Sequence, residues 1–309
     1  MRIRIGLLAA AVVLCGATTA PATENGAGIY LLGGKTTAAG MTPPPGVFFD
    51  NEFYYYSGSA GGTLELPQGN QIRANLRGNV ALEAPVVLWV TPETILGGRL
   101  GFSAMLPLGV QDIHAMVGGV GVHASDFLVG DPLVGVLLGW DFGNFHWQNN
   151  VLVNVPIGDY DPYRLTNLAF HRCAADVSSS LTWLDPKVGL DLSATVGFTF
   201  NGKNPANDYH SGDEFHFEWG AVQHFNEQFS AGIVGYFYNQ ITPDSGTGAT
   251  LGGFEGRVAG IGASLGYNFK VGALPVSTQL RYFHEFDVKN RLQGDAALVS
   301  VSMPLWVPH

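Results

Sequence analysis

The sequence predicts an all-β protein that crosses the bacterial outer membrane as a closed, antiparallel, up-and-down β-barrel of about twelve strands (roughly 10 to 14). Three observations predict this fold. The chain begins with a secretory signal, its apolar residues alternate with a period of two, and short connections between the predicted strands alternate with long ones. This combination is typical of outer-membrane barrels.

The first 22 residues predict a signal peptide. Arg2 and Arg4 precede an apolar stretch from Ile5 to Leu14, and small residues follow, so we expect cleavage after Ala22. Without Arg2 and Arg4 the formal charge changes from −10 to −12, which argues against nucleic acid as a partner. Cys173 is then the single remaining cysteine, so an intramolecular disulfide cannot form.

Composition distinguishes a helical membrane protein from a membrane β-barrel. The longest later apolar runs, 85–90 and 133–140, are far shorter than the roughly 18 residues of a membrane-spanning helix. Charged residues make up 13% of the chain, about half the usual share, and glycine is about twice as common as usual. These shifts suit strands that face lipid on one side.

Alternation is clearest from Val188 to Asn201, where every second residue is apolar, and it recurs at 145–157, 257–269 and 297–305. The predicted strands are 46–58, 72–91, 95–109, 127–141, 144–157, 167–184, 188–201, 213–225, 228–241, 254–269, 273–288 and 295–306. A periplasmic β-sandwich would also alternate, but it would need more charge on its polar face than Gly260, Gly262, Ser264 and Gly266 supply.

The connections provide a second, independent pattern. Short turns are predicted at 92–94, 141–143, 185–187, 226–227 and 270–272, and long loops at 59–71, 110–126, 158–166, 202–212, 242–253 and 289–294. In outer-membrane barrels the short turns are periplasmic and the long loops external. Five tryptophans lie near the predicted periplasmic ends, as in an interfacial girdle: Trp89, Trp140, Trp147, Trp183 and Trp306.

Several blocks of the chain resemble the bacterial family of proteins involved in the meta-pathway of phenol degradation. The blocks are GAGIYLLGG at 26–34, PPPGVFFDNEFYYYSG at 43–58, PIGDYDP at 156–162, FNGKNPANDYHSGDEFHFEW at 200–219 and GYFYNQITPDSGTGATLGG at 235–253. The resemblance implies an outer-membrane barrel that is treated as a transporter for apolar or aromatic compounds. It implies no particular functional residues.

The best candidate for a pore-lining or substrate-contact patch begins on the strand 213–225. Glu214, His216 and Glu218 share its polar face, and pairing across the turn at 226–228 predicts Gln240, Tyr238 and Tyr236 beside them. The preceding strand offers Thr195 and Thr199, and further basic candidates are Arg257 and Arg281. An ordinary polar lumen, in which each group bonds a neighbour or water, is the alternative.

Other chemistry finds little support. A zinc site from His216, Glu218 and His224 is disfavoured, because strand spacing separates the two histidines by about 26 Å. Motifs of a nucleophile elbow or a metalloprotease helix are missing from the sequence, so we expect no catalytic residues, no metal, no cofactor and no enzyme activity.

Residues 23–45 precede the barrel domain, 46–309, and are too glycine-rich to fold alone. We expect either a plug in the lumen, which about twelve strands leave wide enough to fill, or a disordered periplasmic tail.

The sequence therefore predicts a channel for passive uptake of small apolar or aromatic compounds, with membrane lipid and the solute as its partners. The alternative is a closed structural or surface-interaction barrel that binds a partner through its external loops.

Overall fold

The structure, a computed structural model, describes residues 26–65, 71–249 and 252–308. The predicted signal peptide lies outside these ranges. Within them, no helix is long and apolar enough to cross a membrane. The strands are β1 (Gly46–Glu65), β2 (Gln71–Ile95), β3 (Gly98–Met105), β4 (Leu108–Val117), β5 (Val120–Val129), β6 (Leu133–Phe142), β7 (Phe145–Asn154), β8 (Ala174–Asp185), β9 (Leu190–Asn201), β10 (Lys203–Asn204), β11 (Tyr209–His210), β12 (Glu214–His224), β13 (Phe229–Gln240), β14 (Arg257–Val271), β15 (Leu274–Lys289) and β16 (Gln293–Trp306).

Twelve of the described strands form one closed antiparallel ring, in the order β1, β2, β3, β6, β7, β8, β9, β12, β13, β14, β15 and β16. The strand β1 closes the ring, because it pairs with β2 on one side and with β16 on the other. The predicted fold class and strand number are confirmed. Short turns and both ends of the ring lie at one end, which in this fold is periplasmic.

Two predicted loops are wrong. In place of a loop at 59–71, β1 and β2 continue to Glu65 and Gln71 as a paired ribbon. In place of a loop at 110–126, β4 and β5 pair from Leu108 to Val129 and extend β3 and β6 beyond the ring. Gly118 and Gly119 form their turn with φ of 58° and 87°, which a tight hairpin requires. Polar residues interrupt the lipid-type alternation there, which is why the sequence predicts a loop.

The predicted turn at 92–94 is also wrong, since β2 continues to Ile95 and the chain turns at Leu96 and Gly97. The pairing of β2 with β3 shifts register between Val90 and Thr94. That irregularity accommodates Pro92, which has no N–H group to donate to the ladder.

The two faces of the wall differ as the alternation predicts. Inward residues such as Ser178, Ser180 and Thr182 are buried, whereas the neighbouring outward residues Val177 and Leu181 are exposed. In water, this outer surface would expose a continuous apolar belt. It is therefore stable only against lipid. The closed barrel and this belt place the protein in the bacterial outer membrane.

Candidate functional site

The polar patch forms with the predicted register. Glu218 pairs with Tyr236, His216 with Tyr238 and Glu214 with Gln240 across the β12–β13 turn. On the other side of β12, Thr195 lies beside Glu218 and Thr199 beside Glu214. The side chains of all eight are at most 4% exposed, so the patch lies on the inner face of the wall.

His216 occupies the centre of a buried polar network. Its Nε2 lies 2.8 Å from the Oδ2 atom of Asp176, and the hydroxyl of Thr199 donates to the same oxygen at 2.7 Å. The ring of Tyr30 stacks on the imidazole, with 3.6 Å between centroids. A residue from the segment that precedes β1 therefore covers the middle of the patch.

Residues 26–45, which we call the N-terminal segment, follow the lumen along its length. Near the end with short turns, Arg99 and Gln148 donate to the carbonyl and hydroxyl oxygens of Thr42 at 2.7 and 3.0 Å. Near the end with long loops, Gly28 lies so close to the Glu214 carboxylate that a Cβ atom would collide with it. Within the described residues, the segment thus runs between the two ends of the barrel.

Glu218 binds the middle of this segment. Its two carboxylate oxygens accept the backbone N–H groups of Gly33 and Lys35, each at 2.7 Å. Gly33 is required here, because its φ of 86° is left-handed and a Cβ atom would lie 2.6 Å from the ring of Phe283. The barrel wall also has a glycine at this contact. Gly220 has no side chain, which leaves room for the carbonyl oxygen of Thr36.

Further contacts hold the segment on both sides of Glu218. The Asp191 carboxylate accepts the N–H of Ala38 at 2.8 Å, and the Thr182 hydroxyl accepts that of Gly40 at 2.9 Å. The Nζ of Lys35 donates to Gln148 at 2.8 Å. Inward-facing side chains of β8, β9 and β12 therefore accept hydrogen bonds from backbone N–H groups of the segment. Water would otherwise have to accept these bonds.

Arg281 joins the segment to the opposite wall. Its guanidinium donates to the carbonyl oxygens of Gly33 and Gly34 at 2.7 and 2.6 Å, and to the Glu52 carboxylate at 2.7 Å. Ser300 completes the cluster with a hydrogen bond to the same guanidinium. Arg281 is 1% exposed, so this pair is a buried ion pair and not a surface one.

A second part of the lumen is apolar. We call it the apolar wall; it is the inner surface formed by Val234, Tyr236, Tyr238, Val258, Phe283, Ala296 and Leu298. Leu31 and Leu32 of the N-terminal segment pack against it. The Tyr236 hydroxyl keeps a polar partner, since it donates to Glu285 at 3.0 Å. The apolar wall occupies β13 to β16, next to the polar patch.

Three predicted residues lie at the edge of these clusters or outside them. Gln240 binds the β13–β14 loop, donating to Thr242, Asp244 and Phe254 at 2.7 to 3.1 Å. Tyr238 lies beneath the guanidinium of Arg291, 4.3 Å from its ring centroid. Arg257 is apart from the patch, at the start of β14, in a half-exposed ion pair with Asp287 at 2.8 Å.

The external loops have charged contacts of their own. Lys203 forms an ion pair with Asp208, and the N–H and hydroxyl of Thr247 donate to the same carboxylate at 2.9 and 2.6 Å. The Lys203 ammonium and the Thr247 donors hold the pKa of Asp208 well below its usual range. These bonds join the loop that contains β10 and β11 to the β13–β14 loop.

Sequence reasoning did not find the partners that the N-terminal segment supplies. Tyr30 stacks on His216, and the backbone N–H groups of Gly33 and Lys35 donate to Glu218. Glycines at 26, 28, 33, 34 and 40 were the available signal, because a backbone that lies close to a wall needs residues without side chains.

Comparisons with known proteins agree with the fold. The family profile described as putative MetA-pathway of phenol degradation matches residues 61–301. An outer membrane channel from Pseudomonas putida F1 superposes with a TM-score of 0.69 at 12% identity, covering 89% of this chain and 99% of that one. The transport unit of the autotransporter AIDA-I from Escherichia coli aligns less well, with a TM-score of 0.46 at 11% identity over 96% of each chain.

A comparison with curated proteins gave no match. At 12% identity the structural likeness concerns the fold alone, whereas the family profile covers well over half of the 309 residues. The resemblance seen in the sequence blocks is therefore confirmed. This chain belongs to the family described as putative MetA-pathway of phenol degradation.

Proposed function

We propose that the protein is a non-enzymatic channel for passive uptake of small apolar or aromatic compounds, with the N-terminal segment as its plug. The observation that carries this proposal is the apolar wall inside the barrel. A barrel interior that conducts water and ions is polar, so an apolar inner surface has to serve another contact. Aromatic solutes are suited to it, because Tyr and Phe rings pack favourably against other rings.

Leu31 and Leu32 support this assignment. They pack against the apolar wall in the place that an apolar solute would take. In the proposed mechanism the solute binds the wall when these two side chains move away. Tyr236 and Tyr238 then contact the solute, and phenol is a candidate because of the family to which the chain belongs.

The polar patch has a different role in this proposal. Glu218, Thr195 and Arg281 bind the N-terminal segment in the closed state. His216 and Thr199 belong to the network beside it, Glu214 accepts a hydrogen bond from Asn201, and Gln240 fixes an external loop. These groups set how readily the plug is displaced, and they line the path that its displacement would open.

Flux through the refolded protein in liposomes tests the proposal. A neutral aromatic probe is compared with a sugar of similar size, in the wild type, in the double variant His216→Ala/Glu218→Ala and in a variant without residues 24–42. We expect selective aromatic flux in the wild type, and faster and less selective flux in both variants. Asp131→Asn is the matched control, because this buried carboxylate binds backbone N–H groups of the loop at 155–173 and not the N-terminal segment.

A closed interaction barrel is the second candidate, and the dense hydrogen bonding of the segment favours it. Glu218, Asp191 and Arg281 each bind the segment from inside the barrel. If folded protein passes neither solute, and removal of residues 24–42 changes nothing, the channel proposal is wrong and the closed barrel is supported.

A further inference from the structure

The hairpin of β4 and β5 brings two histidines together outside the ring. His114 on β4 lies directly opposite His123 on β5, and Asp112 lies two residues before His114 on the same face. The preceding pair on this face, Val110 and Phe127, is 42% and 64% exposed, so the face continues the outer surface of the barrel. The cluster therefore lies just beyond the apolar belt, on the side of the long loops.

The three side chains converge through their metal-binding atoms. The Nε2 of His114 is 3.1 Å from Oδ1 of Asp112, and the Nε2 of His123 is 2.9 Å from Oδ2 of the same carboxylate. One ligand atom from each residue fits within a span of 4.8 Å. Two ligands held tetrahedrally at about 2.0–2.1 Å from one ion are about 3.3 Å apart, so small movements would centre the three atoms on a cation.

We propose that Asp112, His114 and His123 form a binding site for a divalent transition-metal cation of the Zn²⁺ type. Two imidazoles and one carboxylate suit Zn²⁺, Cu²⁺ or Ni²⁺, whereas Mg²⁺ and Ca²⁺ prefer oxygen ligands alone. The open coordination positions face solvent, because the side chains of His114 and His123 are 53% and 51% exposed. The cation can therefore reach the site from outside the cell.

The neighbouring strand β2 supplies the remaining polar groups. Asn79 lies opposite Asp112, with its Nδ2 3.5 Å from Oδ1, and Arg77 lies opposite His114. The Asn79 amide orients the carboxylate, as partners of metal ligands commonly do. The positive charge of Arg77 repels a bound cation, so Arg77→Gln is expected to raise the affinity for Zn²⁺ modestly.

The hairpin also stacks the imidazole rings, with 4.0 Å between centroids and 13° between planes. A hydrogen-bonded cluster without a metal would explain the same contacts. The two readings differ in what His123→Ala does. If the cluster is only a hydrogen-bonded network, the variant loses contacts on the hairpin and no metal affinity changes.

Competition between the purified, tag-free, chelator-treated protein and a chromophoric chelator for Zn²⁺ alone tests the proposal. We expect one site per chain, with affinity lowered at least about tenfold in Asp112→Asn and in His123→Ala, since even outer partners of a metal site contribute about 10- to 100-fold. Co²⁺ gives a second readout through the visible absorption of its bound form.

His284→Ala is the matched control. His284 forms a comparable exposed pair with Asp295, at 2.9 Å, but among the described residues it belongs to no three-residue group of this kind. Its removal should leave Zn²⁺ affinity unchanged. Equal Zn²⁺ affinity of wild type and a His114→Ala/His123→Ala variant that keeps the heat-sensitive gel mobility of a folded barrel would overturn the proposal. So would binding of Mg²⁺ or Ca²⁺ in preference to Zn²⁺.

Discussion

Substitution of Glu218 is the strongest test of how the N-terminal segment is held. The carboxylate is fully buried and accepts two backbone N–H groups, those of Gly33 and Lys35, at 2.7 Å each. Glu218→Ala removes both acceptors at once and leaves both donors inside the lumen. The β-ladder of the barrel uses neither bond, so we expect the ring to stay closed while the segment loosens.

The expected magnitude follows from the two bonds. Hydrogen bonds to a charged group contribute about 1.5–3 kcal/mol each, or about 3–6 kcal/mol for the pair. Removing Glu218 also ends the cost of keeping a carboxylate away from water, which reduces the net loss to about 2–4 kcal/mol. At about 1.4 kcal/mol per factor of ten, the undocked fraction of the segment should rise roughly 30- to 700-fold.

A buried thiol in the segment reports this fraction. Thr36 is fully buried, so Thr36→Cys in a Cys173→Ser background should react with a maleimide only after the segment leaves the wall. We expect Glu218→Ala to raise the labelling rate by about the factor given above, and Asp131→Asn to leave it unchanged. A rate that changes less than about threefold in folded protein would show that Glu218 does not hold the segment.

Three further changes test the packing around the lumen and the loops. Arg281→Met leaves Glu52 buried without its cation, so the free energy of unfolding in urea should fall by about 3–5 kcal/mol; a loss below about 1 kcal/mol would contradict the buried pair. Phe283→Ala opens a cavity in the apolar wall and should cost about 3–5 kcal/mol in the same assay, with Phe283→Leu costing clearly less. Asp208 has a pKa below its usual 3.8 because Lys203 pairs with it, so its stabilising contacts are present at neutral pH and should persist through pH 4. Hydrogen exchange of the loops should show this protection lost only at lower pH, and loss near pH 5 would refute the reasoning.

The ring of strands could be predicted because lipid and lumen impose the same alternation on every strand. A single register rule then placed Glu218 beside Tyr236 and Thr195, since cross-strand neighbours follow from where the short turn lies. The patch was predictable for the same reason. The strand residues of the patch follow from local pairing between adjacent strands.

The N-terminal segment was not predictable in the same way. Gly33 and Glu218 are 185 residues apart, and no periodicity connects them. The hairpin of β4 and β5 was missed for a related reason, because Asp112 and His114 replace apolar residues on the outer face once the strands leave the lipid. Alternation reports contact with lipid, so strands that extend beyond the membrane do not show it clearly.

The N-terminal segment makes its apolar contacts and its hydrogen bonds at different places along the chain. This separation suggests how a channel of this design could stay selective. Leu31 and Leu32 lie on the apolar wall, while the backbone from Gly33 onward binds Glu218 and Arg281. Leu31 and Leu32 are partly buried, so together they contribute at most about 3–6 kcal/mol, an amount that the burial of an aromatic ring can match. In the proposed uptake mechanism an apolar solute would compete with the leucines, and the chain would bend at the left-handed Gly33, where the anchored part begins. A sugar gains nothing from the apolar wall, and it cannot replace the carboxylate and guanidinium that hold the rest of the segment. Local displacement of two leucines would thus admit aromatic compounds while the remainder of the segment keeps the lumen closed to polar ones.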